Sequence, residues 1–158
     1  MTKQSIHSFF RADHERLRGL FAEFQERKMT DFPAARRAFQ GFAVGLRRHI
    51  VWEEEILFPL FEAKTGMKNG GPTHVMRLEH VDIRGYLSAL EERVARGETD
   101  GGGTDSQLMQ LLSEHDGKEE GILYPSIDML IGADELAEAF RRIEAVAEPA
   151  SGCSCCSG

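Results

Sequence analysis

At 158 residues the chain fits a single domain, and no apolar run approaches the roughly 18 residues of a membrane span, so a membrane role is excluded. A net charge of −7, with no basic patch, excludes nucleic acid as a partner. The start Met1-Thr2-Lys3-Gln4-Ser5 lacks the basic and apolar segments of a secretory signal, so the expected setting is cytoplasmic.

Apolar residues Phe10, Leu17, Phe21 and Phe24 recur at helical spacing and predict a first helix from Ile6 to about Lys28. Thr30-Asp31-Phe32-Pro33 then offers a capping residue and a first-turn proline for a second helix carrying Phe39, Phe42, Leu46, Ile50 and Leu57. Pro59 is expected to kink or end it. The glycine-rich stretch Gly66–Pro72 reads as a loop, with Thr73 as the cap of a third helix bearing Met76, Ile83, Leu87, Leu90 and Val94. Beyond Gly101-Gly102-Gly103, a fourth helix capped near Thr104 or Asp105 carries Leu108, Leu111, Leu112, Ile122 and Leu123, and Pro125 is expected to break it. A shorter helix over about Ala133 to Ala147 follows.

The predicted fold is all-α: an up-and-down antiparallel four-helix bundle with a short C-terminal helix. Residues 1–147 form the domain, and 148–158 form a flexible tail holding Cys153, Cys155 and Cys156. Thiols placed there cannot staple the domain as a secreted disulfide framework would.

The chain is an internal duplication. An offset of 66 residues superposes Asp13-His14 on Glu79-His80, and the segment His49 to Pro59 on His115 to Pro125. The longer match shares the pattern His-x-x-x-Glu-Glu-x-Ile-Leu-aromatic-Pro. Each repeat thus supplies one histidine on its first helix, then a histidine and a glutamate four residues apart, which share one helix face. That face is apolar: His14 lies between Phe10 and Leu17, His80 between Met76 and Ile83, and Glu53 between His49 and Leu57.

A lone histidine on an apolar face is more often a hydrogen-bonded core residue than a ligand. Six such residues together need a different account. Two buried carboxylates beside four imidazoles, with no lysine or arginine at those core positions, would each cost several kcal/mol if unpaired. Two cations resolve this, and a mixed nitrogen and oxygen donor set suits iron, manganese or zinc better than copper(I).

The constellation His14, His49, Glu53, His80, His115 and Glu119 resembles the hemerythrin-like, or HHE cation-binding, family over about Ser5 to Leu130. The resemblance implies two non-haem iron ions bridged by Glu53 and Glu119 and by an oxo or hydroxo group. His14 and His49 would hold one ion, and His80 and His115 the other. It implies a small diatomic or peroxide ligand and a role as sensor, store or scavenger of oxygen, peroxide or nitric oxide. The alternative is a di-iron enzyme reducing peroxide or nitric oxide, or a factor for iron–sulfur repair. The chain departs from the oxygen carriers in placing Met76 where they have an additional histidine, and in spacing His115 and Glu119 by four residues rather than five. A ferritin-like site is disfavoured, since no histidine here has a glutamate three residues before it.

His7 and His74 are expected outside the site, one too far along the helix and the other facing away. Glu54 and Glu120 turn roughly 100° from their neighbouring carboxylates and suit a solvated or supporting role. Phe58, Tyr124 and Trp52 read as packing residues.

Overall fold

The computed structural model describes residues 4–146, so the expected cysteine tail lies outside the described residues. All regular structure among the described residues is helical. Helix α1 (Ile6–Arg27) begins at Ser5, whose hydroxyl accepts from the Ser8 N–H. The N–H groups of Ile6 and His7 donate to the Asp128 carboxylate at 2.9 and 3.0 Å. One side chain near the far end of the chain therefore satisfies two of the donors that a helix start leaves open.

Helix α2 (Phe32–Trp52) is capped by Asp31, which accepts from the Ala34 N–H at 3.2 Å. A π-helical turn, Glu53–Leu57, joins it to α3 (Phe58–Thr65), which ends on Gly66 in the left-handed region at φ 74°. Helix α4 spans Pro72–Ala95 and α5 spans Thr104–Lys118. A second π-helical turn, Glu119–Leu123, leads into α6 (Tyr124–Leu130), and α7 covers Ala133–Ala145.

The expected breaks at Pro59 and Pro125 are thus continuous helix. A proline ring lacks an N–H and collides with the carbonyl four residues earlier. Widening the preceding turn by one residue relieves the collision, and the Phe58 and Tyr124 N–H groups bond five residues back, to the Glu53 and Glu119 carbonyls. The carbonyls passed over in the first repeat find other donors. Arg77 reaches the Glu54 carbonyl at 3.3 Å, and Arg142 reaches that of Glu55 at 3.2 Å.

Three smaller expectations also change. Thr73 does not cap α4, which starts after Gly71; its hydroxyl instead donates to Glu62 at 2.9 Å, tying α4 to α3. Thr104 and Asp105 lie inside α5, whose cap is Gly103 at φ 85°. Ile122 is exposed rather than in the core, whereas its counterpart Ile56, in the equivalent wide turn, is buried in a cluster that includes Ala139 and Ile143 of α7.

The buried side chains form two apolar layers. One holds Phe21, Phe24, Phe39, Phe42, Ile83, Leu87 and Leu108, and the other holds Ile6, Phe10, Trp52, Phe58, Met76, Tyr124 and Ile143. On α1, His14 falls between Phe10 of one layer and Leu17 of the other, and on α4 His80 falls likewise between Met76 and Ile83. A polar layer is therefore enclosed between two hydrophobic ones.

Asp128→Ala should lower unfolding stability by about 1–2 kcal/mol, the usual cost of losing a helix cap. A lower urea midpoint with an unchanged slope would register it, and an unchanged midpoint would show that water satisfies those amides equally well.

Candidate metal centre

The six residues singled out by the repeat converge in the polar layer. His14, His49, His80 and His115 are at most 3% exposed, and Glu53 and Glu119 are fully buried. Glu53, His80, His115 and Glu119 each bring a ligand atom within 4.8 Å of the others, as do His14, His49 and Glu119.

Every histidine is oriented by a carboxylate at its Nδ1. Asp13 takes His49 at 2.8 Å, Glu79 takes His115 at 3.0 Å, Glu54 takes His80 at 3.0 Å and Glu120 takes His14 at 3.0 Å. The duplication is visible in this pairing. The acid preceding a repeat's first histidine serves that repeat's second histidine, and the acid following each buried glutamate serves the first histidine of the other repeat. An ionised carboxylate only accepts, so each of these Nδ1 atoms carries a proton and each ring turns its Nε2 inward. Arg84 also holds Glu54 at 3.0 Å, and Lys118 holds Glu79.

Burial pushes the Glu54 carboxyl up, but hydrogen bonds from His80 and Arg84 outweigh it and hold it at about 2. The supporting role expected for Glu54 and Glu120 is what their contacts show. His7 and His74 stay outside the cluster, His74 being exposed.

At the centre the inward donors meet. His80 Nε2 lies 3.4 Å from Glu53 Oε1, His49 Nε2 3.4 Å from the same oxygen, and His14 and His115 Nε2 3.4 and 3.3 Å from Glu119 Oε1. Tyr124 Oη donates among the carboxylates, 2.9 Å from Glu53 Oε2 and 3.0 Å from Glu119 Oε1, and sits 3.3 Å from both His14 and His49 Nε2. Asp116 is buried 3.3 Å from His14 Nε2, with Arg18 at 3.7 Å on its far side.

Burial, then the charge on Glu53, raises the Glu119 carboxyl well above its ordinary value. Burial likewise raises Asp116 to about 7, and holds the Tyr124 phenol well above its ordinary value with help from both glutamates. His14 is lowered to about 2 by burial and by the neighbouring His49.

The cluster is rich in acceptors and short of donors. Glu53 Oε1, Glu119 Oε2 and His80 Nε2 are sealed from solvent without a hydrogen-bond partner. Each such atom costs about 1–3 kcal/mol if left so, and more where charged. Cations at the centre would satisfy all three at once, so the residues present fit bound metal. A cavity of about 40 Å³ adjoins the cluster, walled by Phe42, Leu46, Ile50, Ile83 and Leu112 beside the histidines.

Two residues of this centre escape the sequence pattern. Tyr124 lies five residues after Glu119, which on a regular helix turns it about 140° away. The π-helical turn closes at five residues and brings it over Glu119. The aromatic-proline pair at the end of each repeat is the signal that marks this turn. Asp116 adjoins His115 and has Ile50 as its counterpart, so the repeat itself conceals it. Trp52 and Phe58 pack as expected, Trp52 against Phe9 and Arg48, and Phe58 stacked on His80.

A helical bundle enclosing clustered histidines and carboxylates is the architecture of a cation-binding domain. A family model described as the hemerythrin HHE cation binding domain matches residues 5–127, and the chain belongs to that family. Comparisons with curated proteins and with solved structures found no match.

Asp13→Asn and Glu54→Gln should each weaken metal retention by about 10–100-fold, the usual effect of loosening a carboxylate that orients a histidine ligand. Competition with a chelator measures this. Unchanged retention in both variants would mean that packing alone fixes the imidazoles.

Proposed function

We propose that the chain holds two non-haem iron ions, with Glu53 and Glu119 bridging them, His14 and His49 on one and His80 and His115 on the other. It would meet oxygen, peroxide or nitric oxide as a sensor, store or scavenger. Residues 1–147 would form the working unit, with the four long helical rods running alternately up and down and α7 added at one end. Its setting would be the cytoplasm.

The single observation that carries this reading is the convergence of four carboxylate-oriented imidazoles on two buried glutamates whose free oxygens have no other partner. Bound iron would supply redox-active Lewis-acid centres with open positions for a small ligand. The chain itself keeps the imidazoles aimed inward, excludes bulk water, and limits access to molecules that fit a cavity of about 40 Å³.

A specific observation favours the second reading, a di-iron enzyme reducing peroxide or nitric oxide. Tyr124 and Asp116 place two groups able to hold a proton beside the same donors. Reduction consumes protons, while simple binding does not.

Elemental analysis after anaerobic iron loading should find about two irons per chain. Glu53→Ala and Glu119→Ala should each lower this to about one or less and alter the absorption spectrum. Normal iron content and spectrum in either variant would remove that carboxylate from the site. Mixing the reduced protein with each oxidant separates the roles. A spectral change that reverses when the oxidant is removed indicates binding, and repeated consumption of the oxidant indicates turnover.

A further inference from the structure

The outer face of α4 is apolar where the matching face of α1 is not. Alternating steps of four and three residues along α4 pass through His74, Leu78, Val81, Gly85, Ser88 and Glu92, all six exposed. The 66-residue offset carries them onto Ser8, Ala12, Glu15, Gly19, Ala22 and Glu26 of α1, which are exposed as well. The duplication thus presents one face in two versions. Where α1 turns Ala12 and Glu15 to water, α4 turns Leu78 and Val81, 56% and 63% exposed, with Val75 beside them. Among the described residues nothing covers these side chains.

Steps of four and three keep side chains on one narrow seam, the spacing through which two helices pack along their length. This seam is complementary to itself when reversed. Laid antiparallel on a second copy, with the two-fold axis at the level of Ile83, it sets Leu78 on the copy's Ser88, Val81 on the copy's Gly85 and His74 on the copy's Glu92. Each large apolar side chain meets a small one, and each imidazole meets a carboxylate to which it can donate. On one flank Arg77 approaches the copy's Glu91, extending the Arg77–Glu62 and Arg47–Glu91 pairs that each chain already holds. Arg84 meets its own copy there, but each is neutralised by Glu54 at 3.0 Å. On the other flank Asp82 meets its own copy, an unfavourable contact at the rim.

We propose that the chain forms an isologous dimer through the outer face of α4, burying Leu78 and Val81 of each copy against Ser88 and Gly85 of the other. The seam is about 27 Å of helix, a small interface of the weak and reversible kind, with a Kd on the order of 10–100 µM. It lies on the far side of α4 from His80, so it stands whether or not metal is bound.

Sedimentation equilibrium of the full-length chain from about 1 µM to 1 mM, with reductant present so that the tail thiols link no chains, should pass from monomer to dimer. Leu78→Ala and Val81→Glu place on α4 the residues that α1 carries at the matching positions, and each should weaken association by about tenfold or more. Urea midpoints should stay near the parent's, because both residues are exposed. Should Val81→Glu lower the midpoint, Gly85→Glu takes its place, since a Cβ there meets nothing of its own chain within 4 Å. Asp82→Asn removes the like-charge contact and should strengthen association by about twofold or more.

A parent that stays monomeric up to about 1 mM overturns the proposal and leaves the face to a different protein. A dimer whose association is unchanged by Leu78→Ala or by the glutamate variant, or is unchanged or weakened by Asp82→Asn, overturns it too.

Discussion

Two glutamates with no solvent exposure, packed among four imidazoles, set the terms for the rest of the structure. A carboxylate in a helical core costs several kcal/mol unless something of opposite charge meets it, and the helices supply no lysine or arginine there. The bundle answers by confining the polar groups to one layer and sealing that layer with large apolar side chains above and below. Arginines and lysines appear one step further out, on Glu54, Glu79 and Asp13, where they stabilise the acids that orient the histidines. Apart from Arg18 beside Asp116, positive charge thus bears on the two glutamates through the imidazole rings rather than by contact.

Duplication makes such a layer economical to specify. One helix pair carries an acid and a histidine on its first member, and a histidine and two acids on its second. Placed against its own copy, it provides a partner for every Nδ1, because each acid reaches a histidine on a neighbouring helix. Half a centre would leave His14 and His80 without an acid, since each takes its acid from the other repeat. The supporting acids therefore bind the two repeats together as well as orienting the rings.

The helical class, the repeat and the six central residues were legible because all depend on spacing, and spacing at 3.6 residues per turn decides which side chains share a face. The same rule hid Tyr124. Once Pro125 widens the turn before it, residues counted from Glu119 no longer fall where a regular helix puts them. Asp116 was hidden differently, by a repeat that drew attention to positions where the halves agree. The start of α1 at Ile6 was legible, but the Asp128 carboxylate that meets its donors was not, being far away in sequence.

Those same two prolines connect the backbone to the chemistry of the centre. A regular helix would send residues 58 and 124 away from the glutamates, and their identity would matter only to packing. The five-residue turns bring Tyr124 over Glu119 and set Phe58 on His80, so a single hydroxyl decides whether the ring is an inert wall or a hydrogen-bond donor. A tyrosine hydroxyl buried without a partner would be destabilising, yet between Glu53 and Glu119 it finds two acceptors. The site can therefore hold tyrosine at one end and phenylalanine at the other without disturbing the fold, and the fold's symmetry is kept while its chemical symmetry is broken.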